Sequence, residues 1–419
     1  MATSVRRFSN VSNGVLSVVD QGICSLSNFL TVLLLSRSLS ADGFGGYVLI
    51  FNAVLICASV QHAIVTGPLR WTGAPRMRDR AYVGGQLHLQ AAALAVEVPL
   101  LALALGWCVD DRSLVVAAVA SMVAIQLHEF VRSICVTALE MRRVVWLDAV
   151  THGLRGGGLV WLWQSGHLSA TSALVVIVLA SLVALPLLPR GTIADSVRAT
   201  MYGNWRLGRW ILADAFAFTL STRVYLYWVA LWSSKVDAGG LGATQTIVGA
   251  ANVVIAGLVV AAIPVAKLKL ETTGYDAWRR WWVATGAVVA GIGGLTYCAI
   301  AGFAEPILAF VYPHDHLAFV PIVVILAFGA WIDALNTVVA SATWTIEKPW
   351  VNVVGKSLSA LFMAAWAYPA IRHFGITGAA IGLAVTPVIW LTVNVVYVLS
   401  GALGKGGVER LRKPAGITA

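Results

Sequence analysis

Apolar residues run along this chain in twelve stretches, near 15–36, 44–68, 81–107, 113–136, 145–163, 170–188, 210–232, 242–266, 281–304, 318–341, 350–371 and 378–400. A helix crossing roughly 30 Å of hydrocarbon needs about 20 residues. Within lipid the backbone finds its hydrogen bonds only inside its own helix or in a closed barrel. Stretches this long therefore predict an all-α polytopic membrane protein with about 12 transmembrane helices. The first stretch also has a polar face: Asn13, Ser17, Asp20, Cys24, Asn28 and Thr31 recur every three or four residues and form one stripe. Such a stripe turns away from lipid. It serves either as interhelical hydrogen-bonding glue or as the wall of a wet cavity, and the carboxylate of Asp20 favours the cavity.

Charge then fixes an orientation. Of the 29 Lys and Arg residues, 21 lie before the first stretch, on every second connection after it, or in the tail beyond the last; the alternate connections carry Arg37, Arg112, Lys235 and Arg372. The positive-inside rule places both termini in the cytoplasm. The net charge of +10 is mostly this loop bias, so it is not a nucleic-acid signal. The basic tail after Leu403 suits anionic membrane lipid. With 59% hydrophobic and 11% charged residues, the composition excludes a soluble domain. Cys24, Cys57, Cys108, Cys135 and Cys298 lie in or beside apolar stretches and read as small hydrophobes.

Connections on the outer side are all short, which leaves no domain in which an enzyme working on surface glycans would hold its acceptor. The GxxxxGK[ST] phosphate loop of an ATP-driven pump is missing as well. The sequence predicts no catalytic residues and no cofactor. His314, Asp315 and His316 form a triplet in an outer loop and read as solvated residues, not as metal ligands.

Sliding residues 36–68 by 197 positions sets Ser36 on Ser233, Ala41 on Ala238, Gly43 on Gly240 and Gly45 on Gly242. The match joins the first two stretches of each half, so it predicts two six-helix lobes, 1–200 and 201–419, related by a pseudo-two-fold axis along the membrane normal.

Nine ionisable positions matter most. Arg132 and Lys356 lie near the cytoplasmic ends of their stretches and would snorkel to the interface. Arg132 also has Glu129 three residues before it, an i,i+3 pair that would neutralise itself within the helix. Arg155, Arg223, Glu97 and Asp333 are too deep to snorkel. Arg223, among Thr219, Thr222 and Tyr227, either holds anionic oxygens bidentately or pairs with a carboxylate such as Asp333. Arg155 precedes three glycines that would let another helix or a lipid chain approach. Asp20, Glu97, Asp333 and Asp214 are the acids available to a coupling ion.

The run Asp20-Gln21, Ser25-Leu26, Asn28-Phe29, Ser36-Arg37-Ser38-Leu39-Ser40 and Phe44-Gly45-Gly46-Tyr47 resembles the opening of the polysaccharide-exporter branch of the multidrug/oligosaccharidyl-lipid/polysaccharide exporter superfamily. Phe374-Gly375-Ile376-Thr377-Gly378-Ala379-Ala380-Ile381-Gly382 is similar to that family's junction between its last two helices, and Gln126, Glu129, Arg132 and Asp148 also look like family sequence. The resemblance implies an alternating-access transporter of a bacterial inner membrane, driven by H+ or Na+. Its cargo would be a lipid-linked oligosaccharide on polyprenyl pyrophosphate. Arg223, Arg155 and Asn28 would meet the cargo, with Asp20, Asp333, Glu97, Glu129 and Arg132 as cavity or coupling charges. A drug or metabolite exporter of the same superfamily, and a membrane enzyme that modifies or polymerises glycans, are the alternatives.

The loop charges yield a direct test of orientation. In a cysteine-free background, single cysteines at Asp42 and Arg78 are expected to react from outside the cell at position 42 and not at position 78, read by membrane-impermeant thiol labelling; the reverse pattern overturns the topology.

Overall fold

A computed structural model describes residues 2–72, 77, 79–188, 197–252, 255, 259, 266, 269–270, 272–312, 316–345, 348 and 350–399. Among them the chain is all helical. The first half forms α1 (Ala2–Ser38), α2 (Ala41–Gln61), a π turn (His62–Thr66) running into α3 (Gly67–Thr72), α4 (Arg80–Cys108), α5 (Arg112–Thr137), α6 (Met141–Gln164) and α7 (Ala170–Ser181), extended by a 3₁₀ turn (Leu182–Leu187). The second half forms α8 (Val197–Phe218), a π turn (Thr219–Arg223), α9 (Val224–Trp232), α10 (Lys235–Ala250), α11 (Tyr275–Gly302), the short α12 (Ala304–Val311), α13 (His316–Thr345) and α14 (Trp350–Leu399).

Eight of these helical stretches are long and apolar enough to cross a bilayer. One of them, Trp350–Val398, has 49 residues, about twice what one crossing needs. It reverses at Gly375, whose φ of 57° only glycine adopts easily. Its two arms lie side by side, with the Trp366 indole donating to the Gly378 carbonyl at 3.1 Å and the Ser359 hydroxyl to the Thr386 carbonyl at 3.1 Å. Adding α6, the α8–α9 pair and α10 brings the crossings to the twelve expected. Trp107, Leu231, Leu295 and Leu361 are exposed on the outside, as a surface facing lipid tails requires.

Caps set the turns. Asp79 and Asp111 accept from the first free N–H groups of α4 and α5, Ser40 from those of α2, and Ser169 closes a capping box on α7. Two connections differ from expectation. Residues 233–241 were expected as a loop, but Ser234 accepts from the Asp237 N–H and starts α10 at Lys235. The connection 305–317 contains α12, which hydrogen-bonds back to the first helix: the Ser36 hydroxyl donates to the Val311 carbonyl and Arg37 Nε to the Phe310 carbonyl at 2.8 Å. His314 and Asp315 lie outside the described residues.

In the first half α1 packs on α6, α5 on α7, and α2 on α5; in the second α13 packs on α11 and α14, and α14 on α8. The halves meet where α2 lies along α10. Gly45, a matched position of the repeat, and Gly239, next to another, explain how they approach. A Cβ on Gly45 would strike the Lys235 carbonyl, and one on Gly239 would come within 2.9 Å of the Gly45 Cα. Small residues let membrane helices touch backbone to backbone, which is the packing that drives their association where lipid removes the hydrophobic force.

Substitution at adjacent glycines separates this contact from helix propensity. Gly45→Ala is expected to destabilise by about 1–3 kcal/mol through overpacking. Gly46→Ala, with open space around its Cβ, is expected to be neutral or slightly stabilising. Thermal unfolding in detergent measures both, and equal midpoints for the two variants would remove Gly45 from the interface.

Candidate functional site

Charges inside the helices divide into those that meet an opposite charge and those that do not. The first group is centred on Arg132 of α5. Its guanidinium donates to Asp20 of α1 and, through Nε at 2.7 Å, to Asp148 of α6. Glu129 comes only to 3.5 Å; its nearer partner is Arg70 of α3. The expected self-neutralising Glu129–Arg132 pair is thus a minor part of a three-helix network, because adjoining helices offer Arg132 two acids at hydrogen-bonding range. His128 Nε2 lies 3.3 Å from the other Asp148 oxygen, and the Cys24 thiol points at Asp148 from 3.8 Å.

Asp20 is 1% exposed and is not among the residues that line the two compartments of the cavity between the halves. The polar stripe of α1 divides along its length. Asp20 and Cys24 face the charges of α5 and α6, whereas Asn28 and Thr31, further along, line open space. Side-chain periodicity groups these residues on one face but does not say what each level of that face meets.

Glu97 of α4 is buried too. It accepts from the Gln126 amide, which belongs to a chain of amides: Gln90 donates to Gln126 at 3.1 Å and Gln61 to Gln90 at 2.8 Å. Such a network satisfies polar groups in the interior and ties α2, α4 and α5 together. Lys356 does not snorkel; its ammonium meets Asp214 of α8 at 2.6 Å, since α14 packs directly on α8.

A cavity between the halves holds the second group. It has two compartments of about 320 and 430 Å³ that share Asn52, Arg223, Leu226, Gln245 and Gly249 as walls. Arg155 lies in the first, where its Nη1 donates to Asn28 at 3.2 Å. Arg223 ends the π turn before α9 and lines both. Its Nη1 donates to the Asn52 carbonyl oxygen at 3.4 Å, and the Asn52 amide donates to the Arg223 backbone carbonyl at 2.9 Å. Asp333 of α13 lines the second compartment.

Among the described residues Arg155, Arg223 and Asp333 make no ion pair. Arg223 and Asp333 are not paired with one another, so the charge on each remains directed at the cavity. The Nε of each arginine is buried with no hydrogen-bond partner among the described residues. A guanidinium has five N–H donors in a planar fork matched to carboxylate or phosphate oxygens. Asn52, Gln245 and Trp390 were not foreseen. Asn52 is a lone amide in an otherwise apolar stretch of α2, a signal that a search for repeating polar faces passes over.

No protein-family model matches the chain, and no curated protein matches it. Solved structures do. An inward-facing multidrug resistance MATE family transporter of the MOP superfamily aligns with a TM-score of 0.71 and 12% identity over 97% of this chain and 99% of that one. An outward-facing transporter of that description aligns at 0.68 and 12% identity, over 97% and 96%. A MOP superfamily transporter from Pyrococcus furiosus, in which reversed binding-pocket polarity suggests a different function, aligns at 0.70 and 13% identity, over 97% and 96%. Identities this low establish the fold and leave the cargo open.

The Arg132 network makes a stability test. Arg132→Met strands Asp20 and Asp148 without their cation and is expected to cost about 3–5 kcal/mol. Asp20→Asn keeps the Arg132–Asp148 bridge and is expected to cost distinctly less. The fraction of each variant that stays monodisperse after stepwise heating in detergent ranks them; equal losses would show that Asp148 and Asp20 do not share Arg132.

Proposed function

We propose that the protein is an alternating-access transporter that moves a lipid-linked oligosaccharide, carried on polyprenyl pyrophosphate, from the cytoplasmic to the outer leaflet of a bacterial inner membrane. Arg155 and Arg223 carry this reading, since both face the cavity between the halves without a carboxylate partner among the described residues. A pyrophosphate supplies the anionic oxygens that two guanidinium forks can each take bidentately. Asn28, already bonded to Arg155, would orient the first fork.

Residues 1–200 and 201–419 act as the two rocking lobes, with both termini cytoplasmic. The glycan head group crosses between them while the prenyl tail stays in lipid, and rocking replaces any chemical step. H+ or Na+ supplies the drive through one of the buried acids. Asp333, already at the cavity, is the most direct; Asp20, Glu97 and Glu129 would have to exchange their present hydrogen-bond or ion-pair partners. The inward- and outward-facing multidrug transporters of like fold support a rocking cycle. The Pyrococcus furiosus transporter of like fold, whose reversed binding-pocket polarity suggests a different function, supports taking the polarity of this cavity as a guide to its cargo.

Export of a cationic drug or metabolite is the second reading. Asp333 favours it, because an unpaired carboxylate beside the Phe218 and Trp390 rings suits an aromatic cation. The multidrug transporters of like fold support it as well. The two readings assign opposite roles to Arg223, which attracts pyrophosphate and repels a cation.

Arg223→Lys keeps the charge and loses the fork, and Arg223→Gln loses both. For a flippase, glycan transport per folded molecule in proteoliposomes is expected to fall in the order wild type, Lys, Gln, with the Gln variant slower by at least about tenfold. Equal rates remove Arg223 from the site. Cationic-dye export by the wild type, increased in the Gln variant, selects the exporter.

A further inference from the structure

The second compartment contains chemistry that pyrophosphate binding does not use. Phe218 and Trp390 form one wall, their ring centroids 5.7 Å apart. The Lys356 ammonium lies 5.3 Å from the first ring and 5.4 Å from the second, and Asp214 holds that ammonium in turn. Lys356 is not itself a lining residue. The aromatic wall is therefore pinned by a cation held by its own carboxylate, and the rings are fixed before any ligand arrives. Asp333, Asn252 and Gln245 supply a carboxylate and two amides around the same space.

Charge changes sign along the cavity. Arg155 and Arg223 face the first compartment, Arg223 forms the shared wall, and Asp333 faces the second without a cation partner among the described residues. A sugar ring presents C–H faces that pack on aromatic rings and hydroxyls that donate to carboxylate oxygens and bond to amides. A hydroxylated ring, or one bearing an ammonium, suits Asp333. A ring with its own carboxylate would set two like charges together in a site of reduced dielectric, where repulsion is far stronger than in water.

We propose that the second compartment is the subsite for the sugar adjoining the pyrophosphate, that it takes a neutral or amino sugar, and that Asp333 excludes sugars carrying a carboxylate. This assignment rests on the flippase reading and names the class of glycan that reading leaves open. Specificity then comes from a repulsive element built into the site, the usual means of rejecting a close analogue of the same shape.

Two synthetic prenyl-pyrophosphate saccharides that differ only at C6 of the first sugar, hydroxymethyl in one and carboxylate in the other, test it in proteoliposomes. The wild type is expected to flip the neutral lipid faster by on the order of tenfold. Asp333→Asn should bring the ratio of the two rates within about threefold whatever it does to the rates themselves, since both lipids share one coupling step, and Asp333→Glu should keep the preference. The wild-type comparison needs no variant, so it decides even where Asp333→Asn fails to fold. Equal wild-type rates for the two lipids overturn the subsite and leave the flippase standing. Movement of neither lipid by folded protein overturns the flippase and the subsite together. Cationic-dye export that Asp333→Asn abolishes assigns Asp333 to a cation and overturns the proposal.

Discussion

An ionised side chain inside a membrane has to meet an opposite charge, a set of dipoles or water, and the interior of this protein is organised by that requirement. A charge at the centre of a span costs about 2.5–3.5 kcal/mol on insertion scales, so each one ought to have visible compensation. Arg132 has Asp20 and Asp148, Arg70 has Glu129, Lys356 has Asp214, and Glu97 has the Gln126 amide. These contacts tie helices together at the places where the apolar stretches carry charge. Arg155, Arg223 and Asp333 have no oppositely charged partner among the described residues; Arg155 and Arg223 meet only the side-chain amide oxygens of Asn28 and Asn52, and all three border the space between the halves. Pairing with an opposite charge within the protein marks structure, and its absence at a cavity is what the proposed site rests on.

The length and hydrophobicity of the apolar stretches made the helices legible, because a bilayer accepts few alternatives. What remained illegible was three-dimensional partnership. Asp20, Asn28 and Thr31 share one face of α1, but only packing on α6 decides that the first meets an ion pair and the others meet open space. Glu129 lies one turn from Arg132 in sequence, although the stronger partner of each is on another helix. Asn52 carried no pattern at all. Its importance comes from Arg223, 171 residues away, and a contact of that range leaves no periodic trace in one sequence.

Glycine carries information of another kind. Gly43, Gly45, Gly240 and Gly242 first stand out as matched positions in a repeat, which suggests common ancestry of the halves and nothing about their contact. In the fold the two matched segments lie against one another, and Gly45 and Gly239 set how closely α2 and α10 approach. These segments therefore meet a packing requirement, whatever the origin of their likeness. The π turns add to this. Both interrupt helices that border the contact between the halves, and the second ends at Arg223 itself. Such turns recur at functional sites because they displace the side chains that follow from regular helical register.

The bond between Asn52 and Arg223 ties these observations to the proposed transport cycle. Arg223 belongs to the second half, whereas the amide that accepts from its guanidinium and donates to its carbonyl comes from α2 of the first. Alternating access needs a site whose affinity differs between conformations, because a ligand shifts an equilibrium only through the difference in its affinity for the two states. Relative motion of the halves that lengthens the Asn52 contact would release the guanidinium, while motion that preserves it keeps the fork oriented towards the shared wall of the compartments. In the proposed cycle, a charge supplied by one half and positioned by the other would provide that difference without a second binding site, since rocking that opened the cavity would also alter the group proposed to hold the cargo.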